Sequence, residues 1–255
     1  MCVICYKAKE AKLPTAEQIM KMWERNPDGA GIMWIRDDGM VGWKKGFMSR
    51  KSLMRYIRKN DDYLKDRDVA FHFRITTHGG TCPGNTHPFV VGMDEDPHKL
   101  EGVAETVLMH NGILSITPRV NTISDSAELA LRAGCYENPL FFFSCIDEFL
   151  EGSKILVFDK DGPHFYGDAF RKEGDLIYSN LYHLYNSNMF QYGAYRWRNG
   201  YSKFDSPEGG SWNLGADNVG KDADCNHSVK GLSQSDKDFL DQWQLEMEDE
   251  YRYGF

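Results

Sequence analysis

A cysteine stands directly behind the initiator methionine, and its chemistry depends on whether Met1 stays. Cys2 has a small side chain, so aminopeptidase processing would leave a thiol and a free α-amine on the same residue. An α-amine titrates near 7.7–8.0 in model compounds, so close to neutral pH a useful fraction is unprotonated and can activate the adjacent thiol as a nucleophile. No separate histidine is then required. Taken alone, Cys2-Val3-Ile4-Cys5 fits half a zinc site or a redox pair equally well, with Cys82, His78 or His87 as further ligands.

Four polar blocks follow in order: His72-Phe73-Arg74-Ile75-Thr76-Thr77-His78-Gly79, Asn85-Thr86-His87-Pro88-Phe89, His110-Asn111-Gly112 and Ser124-Asp125-Ser126-Ala127-Glu128. Together with Cys2 and Asp28-Gly29-Ala30-Gly31 they resemble the class II glutamine amidotransferases. That N-terminal-nucleophile group includes the glutaminase domains of glucosamine-6-phosphate synthase and amidophosphoribosyltransferase. Each block is short, and the weight lies in their order behind Met-Cys. The resemblance covers roughly residues 2 to 180, and where the family often has Ser-Asp-Thr-Glu, here Ser126 and Ala127 follow Ser124-Asp125 and the acid is Glu128.

The resemblance implies an α+β fold, an Ntn-hydrolase-like four-layer αββα sandwich of antiparallel sheets. It implies that Cys2 attacks the side-chain amide carbon of glutamine, releases ammonia and leaves a thioester for water to cleave. The tetrahedral oxyanion would be held by the Asn111 side-chain amide and the Gly112 backbone N–H. Arg74 would grip the α-carboxylate through its planar fork, which Lys cannot copy, and Asp125 would face the α-ammonium. Thr77 and His78 would line the glutamine pocket, with His87 as a supporting residue that packs or orders a loop. Ordinary alternatives are a surface ion pair for Arg74, a plain turn for Asn111-Gly112 and a helix N-cap for Asp125. No cofactor or metal is implied.

Local patterns give the elements that must position these groups. Thr15 with Gln18 forms a capping box ahead of Ile19, Met20, Met22 and Trp23 on one helical stripe. Residues 31–35 and 40–43 flank Asp37-Asp38-Gly39 as a hairpin. Ser49 caps a second helix with Leu53, Met54 and Ile57 on one face, stopped by Asn60-Asp61-Asp62. In residues 69–76, Phe71, Phe73 and Ile75 point one way while His72, Arg74 and Thr76 point to a polar face. Residues 106–109 read as a strand broken by His110-Asn111-Gly112. Ser124 or Asp125 then caps a helix that Gly134 ends, and Asn138-Pro139 starts a further apolar helix. Residues 154–158 and 164–166 form a second hairpin, with 176–178 as its third strand. Clustered strands around two adjacent helices point to an antiparallel α+β sandwich.

The catalytic domain is placed at residues 2–190, because residues 191–231 are rich in Gly, Asn, Ser and Asp. Residues 191–255 form a loop-rich C-terminal extension ending in an acidic amphipathic helix, with Phe239, Leu240, Trp243 and Met247 at helical spacing. A helix packed on the domain is favoured there over a partner-docking one.

Six scattered cysteines argue for reduced thiols, and the lack of an apolar run of about 20 residues or of a signal-peptide pattern argues for a cytoplasmic protein away from membranes. The net charge of −8 disfavours direct nucleic-acid binding. The roughly 65 residues after 190 are too few for a synthase domain, so ammonia would pass to a separate acceptor synthase. Competing readings are an N-terminal-nucleophile hydrolase of another γ-glutamyl amide and a non-catalytic zinc-binding module.

Overall fold

The computed structural model describes residues 1–76 and 80–184. The end of the expected domain (185–190) and the whole 191–255 extension, including its expected helix, lie outside the described residues.

The described chain folds into two antiparallel sheets with helices against them. The strands are β1 (Val3–Lys7), β2 (Ala30–Ile35), β3 (Val41–Phe47), β4 (Val69–Phe73), β5 (Phe89–Val90), β6 (Glu101–Ala104), β7 (Val107–Asn111), β8 (Lys154–Asp159), β9 (Gly162–Gly167), β10 (Arg171–Glu173) and β11 (Leu176–Tyr178). One sheet runs β10-β11-β1-β4-β2-β3-β6 and the other β5-β7-β8-β9. The helices are α1 (Ala16–Arg25), α2 (Arg50–Lys59), α3 (Asp61–Leu64), α4 (Asp125–Ala133) and α5 (Pro139–Ile146). Among the described residues no helix is long and apolar enough to cross a membrane.

Side-chain alternation sorts the apolar residues into three cores. Val3, Cys5, Phe71 and Phe73 meet Ile19 and Met22 of α1 and Leu53 and Ile57 of α2 on one face of the larger sheet. The intervening residues Ile4, Tyr6, Met33 and Ala70 meet Val107, Met109, Leu156 and Phe158 of the smaller sheet. On the far side of that sheet, Leu108, Ile155 and Val157 bury against Ala127 and Ala130 of α4 and Phe143 of α5. Central strands β1 and β4 are therefore covered on both faces, and every residue of each is buried. The side of β4 expected to be polar carries His72, but it faces the second sheet and not water.

Capping followed the sequence closely. Thr15 and Gln18 form the reciprocal capping box of α1, Ser49 caps α2 and Asn138 caps α5. Where the structure departs from local pattern, a longer-range interaction decides. Met20 leaves the α1 stripe and is exposed, because one helical face suffices to cover the sheet. Asn60-Asp61-Asp62 breaks the helix without ending it, since Asp61–Leu64 adds a turn that buries Leu64. The strand containing residues 107–109 runs on through His110 and Asn111, which pair with Ile155 and Lys154 of β8. β11 does not extend the second hairpin; it crosses to the other sheet and pairs with β1, Cys5 opposite Tyr178.

Gly31 marks where β2 meets the His87-Pro88 segment. A Cβ there would lie 1.9 Å from the His87 carbonyl oxygen, an approach closed to any other residue.

Candidate active site

Cys2 is held from two sides. The register Val3 opposite Phe73 brings it alongside the segment leaving β4. There its Sγ accepts the Ile75 N–H at 3.4 Å and lies 3.5 Å from the Ile75 carbonyl oxygen. On the β11 side, Asn180 Nδ2 donates to the Cys2 carbonyl oxygen at 2.7 Å. Ser179 Oγ accepts the Ile4 N–H at 2.9 Å, while the Ser179 N–H donates to the Ile4 carbonyl. Residue 2 is partly exposed and Met1 is exposed.

Ser179 also reaches the smaller sheet. Its Oγ accepts Asn111 Nδ2 at 2.9 Å, fixing the end of β7 against the start of β1. Asn111 is buried, and among the described residues its Oδ1 has no partner. The next residue must be glycine on steric grounds: a Cβ on Gly112 would sit 2.2 Å from Ser153 Oγ.

Arg74 is buried, with Nη1 donating to the Gly80 carbonyl at 2.8 Å and to Thr76 Oγ1 at 3.1 Å. Its backbone locks into the Asp28-Gly29 turn, donating to the Gly29 carbonyl and accepting the Asp28 N–H. Asp28 Oδ2 in turn accepts the Thr76 N–H at 2.8 Å. Arg74 is thus a held group, not the surface ion pair that its sequence also allowed.

Asp125 is likewise freed from its ordinary alternative. Ser124 is the N-cap of α4, accepting the Ala127 N–H at 3.2 Å. Asp125 Oδ2 accepts the Leu114 N–H at 3.0 Å, and Oδ1 accepts the Ser126 N–H at 2.8 Å. Glu128 is buried and bound by Arg119 and Arg132, a role within the helical layer.

The charges of these residues act on one another. Burial raises the Cys2 thiol above its ordinary value, opposed by the Ile75 N–H, the chain-terminal ammonium and the Arg74 guanidinium, and reinforced by the Asp125 carboxylate. Burial lowers Arg74, opposed by Cys2, Cys82, Asp28 and Asp125. Cys2, Arg74 and Asp125 thus lie within mutual electrostatic reach, and the resting thiol is protonated at neutral pH. The expected pocket residues Thr77 and His78 lie outside the described residues.

Three buried histidines pack beneath this cluster. His72 Nε2 donates to the His110 carbonyl at 3.0 Å, and the His72 and His87 rings stack with centroids 4.0 Å apart. His110 Nδ1 bonds Ser126 Oγ at 2.8 Å, and the His87 ring meets Phe89 edge-on at 4.8 Å. Burial pushes His72 down to about 3, His110 to about 4, and His87 well below its usual value. All three fold in the neutral form. Below about pH 6.5 the unfolded chain therefore binds more protons than the folded one, and stability falls as pH falls from there through the depressed values. Each histidine adds a slope approaching about 1.4 kcal/mol per pH unit. Denaturant midpoints between neutrality and moderate acid should fall accordingly, and His87→Phe, which keeps the stack without a titrating ring, should flatten that fall. The same acid slope in His87→Phe and the parent would contradict this account.

Ser179 and Asn180 were not found from sequence, whereas Asp28 and Ser126 stood in their blocks without an assigned role. A polar pair closing the apolar run Leu176-Ile177-Tyr178 was the only signal for the first two, and only the β1–β11 pairing gives it meaning.

Cys5 points into the core beneath α1 and α2, away from Cys2. Among the described residues no group of three or more His, Cys, Asp or Glu side chains gathers to hold a metal ion.

The sequence matches no protein-family model and no curated protein. Among solved structures the chain is similar to the glutamine phosphoribosylpyrophosphate amidotransferase from B. subtilis complexed with ADP and GMP, at 18% identity and a TM-score of 0.45. The likeness covers 70% of this chain and 41% of that one, so less than two thirds of the other chain's length.

Proposed function

We propose that the chain is a class II glutamine amidotransferase: residues 2–190 form a cytoplasmic glutaminase domain of the four-layer αββα Ntn type, and ammonia passes to a separate acceptor synthase. The observation that carries this is the convergence of Cys2, Arg74 and Asp125, with Asn111 tied to the start of β1 through Ser179. An arginine and a carboxylate both within electrostatic reach of a thiol match the two charged ends of a free amino acid, while an unrelated acyl amide would leave both charges unused.

In this mechanism Met1 is removed and the Cys2 α-amine, directly or through water, takes the thiol proton as sulfur attacks the amide carbon of glutamine. The Asn111 amide and the Gly112 N–H stabilise the oxyanion, ammonia leaves, and water cleaves the thioester to glutamate. Arg74 holds the α-carboxylate, Asp125 the α-ammonium, and Thr77 and His78 complete the pocket. His87 supports the site from below.

The test is glutamate release from free glutamine, together with labelling of Cys2 by a glutamine-analogue electrophile. Hydrolysis of other γ-glutamyl amides with glutamine untouched would move the assignment to that class.

Arg74→Lys should raise the KM for glutamine by about 10–100-fold with kcat little altered, since a charged bidentate contact is worth about 1.5–3 kcal/mol. Steady-state kinetics check it, and an unchanged KM would remove Arg74 from the carboxylate.

A further inference from the structure

The loop that runs on from Gly112 serves two places. Leu114 donates its N–H to Asp125, and with Ile116 it also lines a groove of about 510 Å³ against α4 and α5. Tyr136, Phe142, Ile146 and Phe149 form other parts of the wall. Tyr136 stacks on Phe142 at 4.7 Å yet stays 52% exposed, and Phe149 is 81% exposed. Two aromatic rings left in water around an apolar hollow mark an interaction site better than a scatter of single apolar residues would.

The charges beside it fix the kind of partner. Glu137, Asp147, Glu148 and Glu151 are all exposed and adjoin groove residues in the chain, and no Lys or Arg occurs from Cys135 to Gly152. Arg132, also in the wall, already donates to Glu128 at 2.7 Å. An apolar hollow edged by acids suits an amphipathic helix with apolar residues at i, i+3, i+4 and i+7 and Lys or Arg on its flanks. The chain's own residues 233–255 have the apolar spacing but carry seven acids against two basic residues, so they would bring like charge to like. A second copy seated by two-fold symmetry would oppose the same acids to one another.

We infer that this groove docks a basic-flanked amphipathic helix of the ammonia-accepting partner; what that partner receives rests on the glutaminase proposal. Docking there places the acceptor against the 113–116 loop, directly connected to Gly112 and bonded to Asp125.

The probe is a fluorescent synthetic helix with leucines at the stated spacing and lysine flanks, added to the full chain and followed by anisotropy. Saturable binding is expected. It should weaken with added salt and fall by about tenfold or more in Phe149→Asp and in Glu148→Lys/Glu151→Lys. Circular dichroism of these variants shows whether they fold, and their glutamine hydrolysis without peptide should equal that of the parent. The inference is overturned if saturable binding is absent, if a glutamate-flanked peptide binds equally, or if folded variants bind unchanged. Displacement of the probe by a peptide of residues 233–255 with higher affinity would assign the groove to the chain itself. Light scattering in which Phe149→Asp turns a dimer into a monomer would assign it to a second copy. Because binding is read without turnover, a parent chain lacking glutaminase activity would sink the functional proposal and leave this result legible.

Discussion

Glutamine hydrolysis should fall by about 10⁴-fold or more in Cys2→Ala, with the fold intact, because the covalent route disappears with the sulfur. The side chain contributes two weak contacts, accepting the Ile75 N–H at 3.4 Å and donating to the Ile75 carbonyl at 3.5 Å, whereas the strong anchor at this residue is the backbone carbonyl bonded to Asn180. Alanine keeps that carbonyl, so the stability change should stay within about 1 kcal/mol. Cys2→Ser should also fail, since burial that already holds the thiol protonated would hold the far weaker acid of a hydroxyl more firmly.

The same sulfur should be silent in a chain that keeps Met1. Its amine would then sit one residue away from the thiol, and the α-nitrogen of Cys2 would be an amide without basicity. Protein from a host lacking methionine aminopeptidase, confirmed by intact mass, should be inactive until the methionine is removed in vitro. Full turnover by Cys2→Ala, or by the Met1-bearing chain, would remove the mechanism.

Local order was legible because its causes are local. Thr15 and Gln18 satisfy each other within one turn, and Ser49 and Asn138 bond amides three residues on, so residue identity at short spacing was enough. Alternation in residues 69–73 gave the correct two faces of β4. What it could not give was that the His72 face meets another sheet, because burial on both sides depends on where β7 and β8 come to lie.

The candidate site divides in the same way. Arg74, Asn111, Gly112 and Asp125 were marked by their blocks, but the residues that aim them were not. Ser179 reaches Ile4 across 175 residues and Asn111 across 68, and no pattern within either segment encodes that meeting. The separate roles of Ser124 and Asp125 were equally closed to sequence: adjacent residues both suited to capping differ only once the backbone of Leu114 is present to occupy one of them.

Asn111→Ala should lower kcat by about 10²–10³-fold while leaving KM within a few-fold. An amide nitrogen carries two hydrogens. One is directed at Ser179 Oγ at 2.9 Å, and that bond fixes the plane in which the other points. The second is then available to an oxyanion that exists only during turnover, so its loss is felt in the transition state and not in substrate binding. Ser179 keeps the Ile4 N–H when Asn111 is shortened, and the Asn111 Oδ1 that is deleted has no partner among the described residues, so a large loss of stability is not expected. Asn111→Asp should be at least as damaging, because it replaces the donor with a charge that repels the oxyanion. Ser179→Ala separates aiming from donating: the amide stays but loses its anchor, and kcat should fall by about tenfold, less than in Asn111→Ala. If thermal melting shows Asn111→Ala folded and its kcat lies within about threefold of the parent, against the loss expected for an oxyanion donor, the oxyanion is stabilised elsewhere.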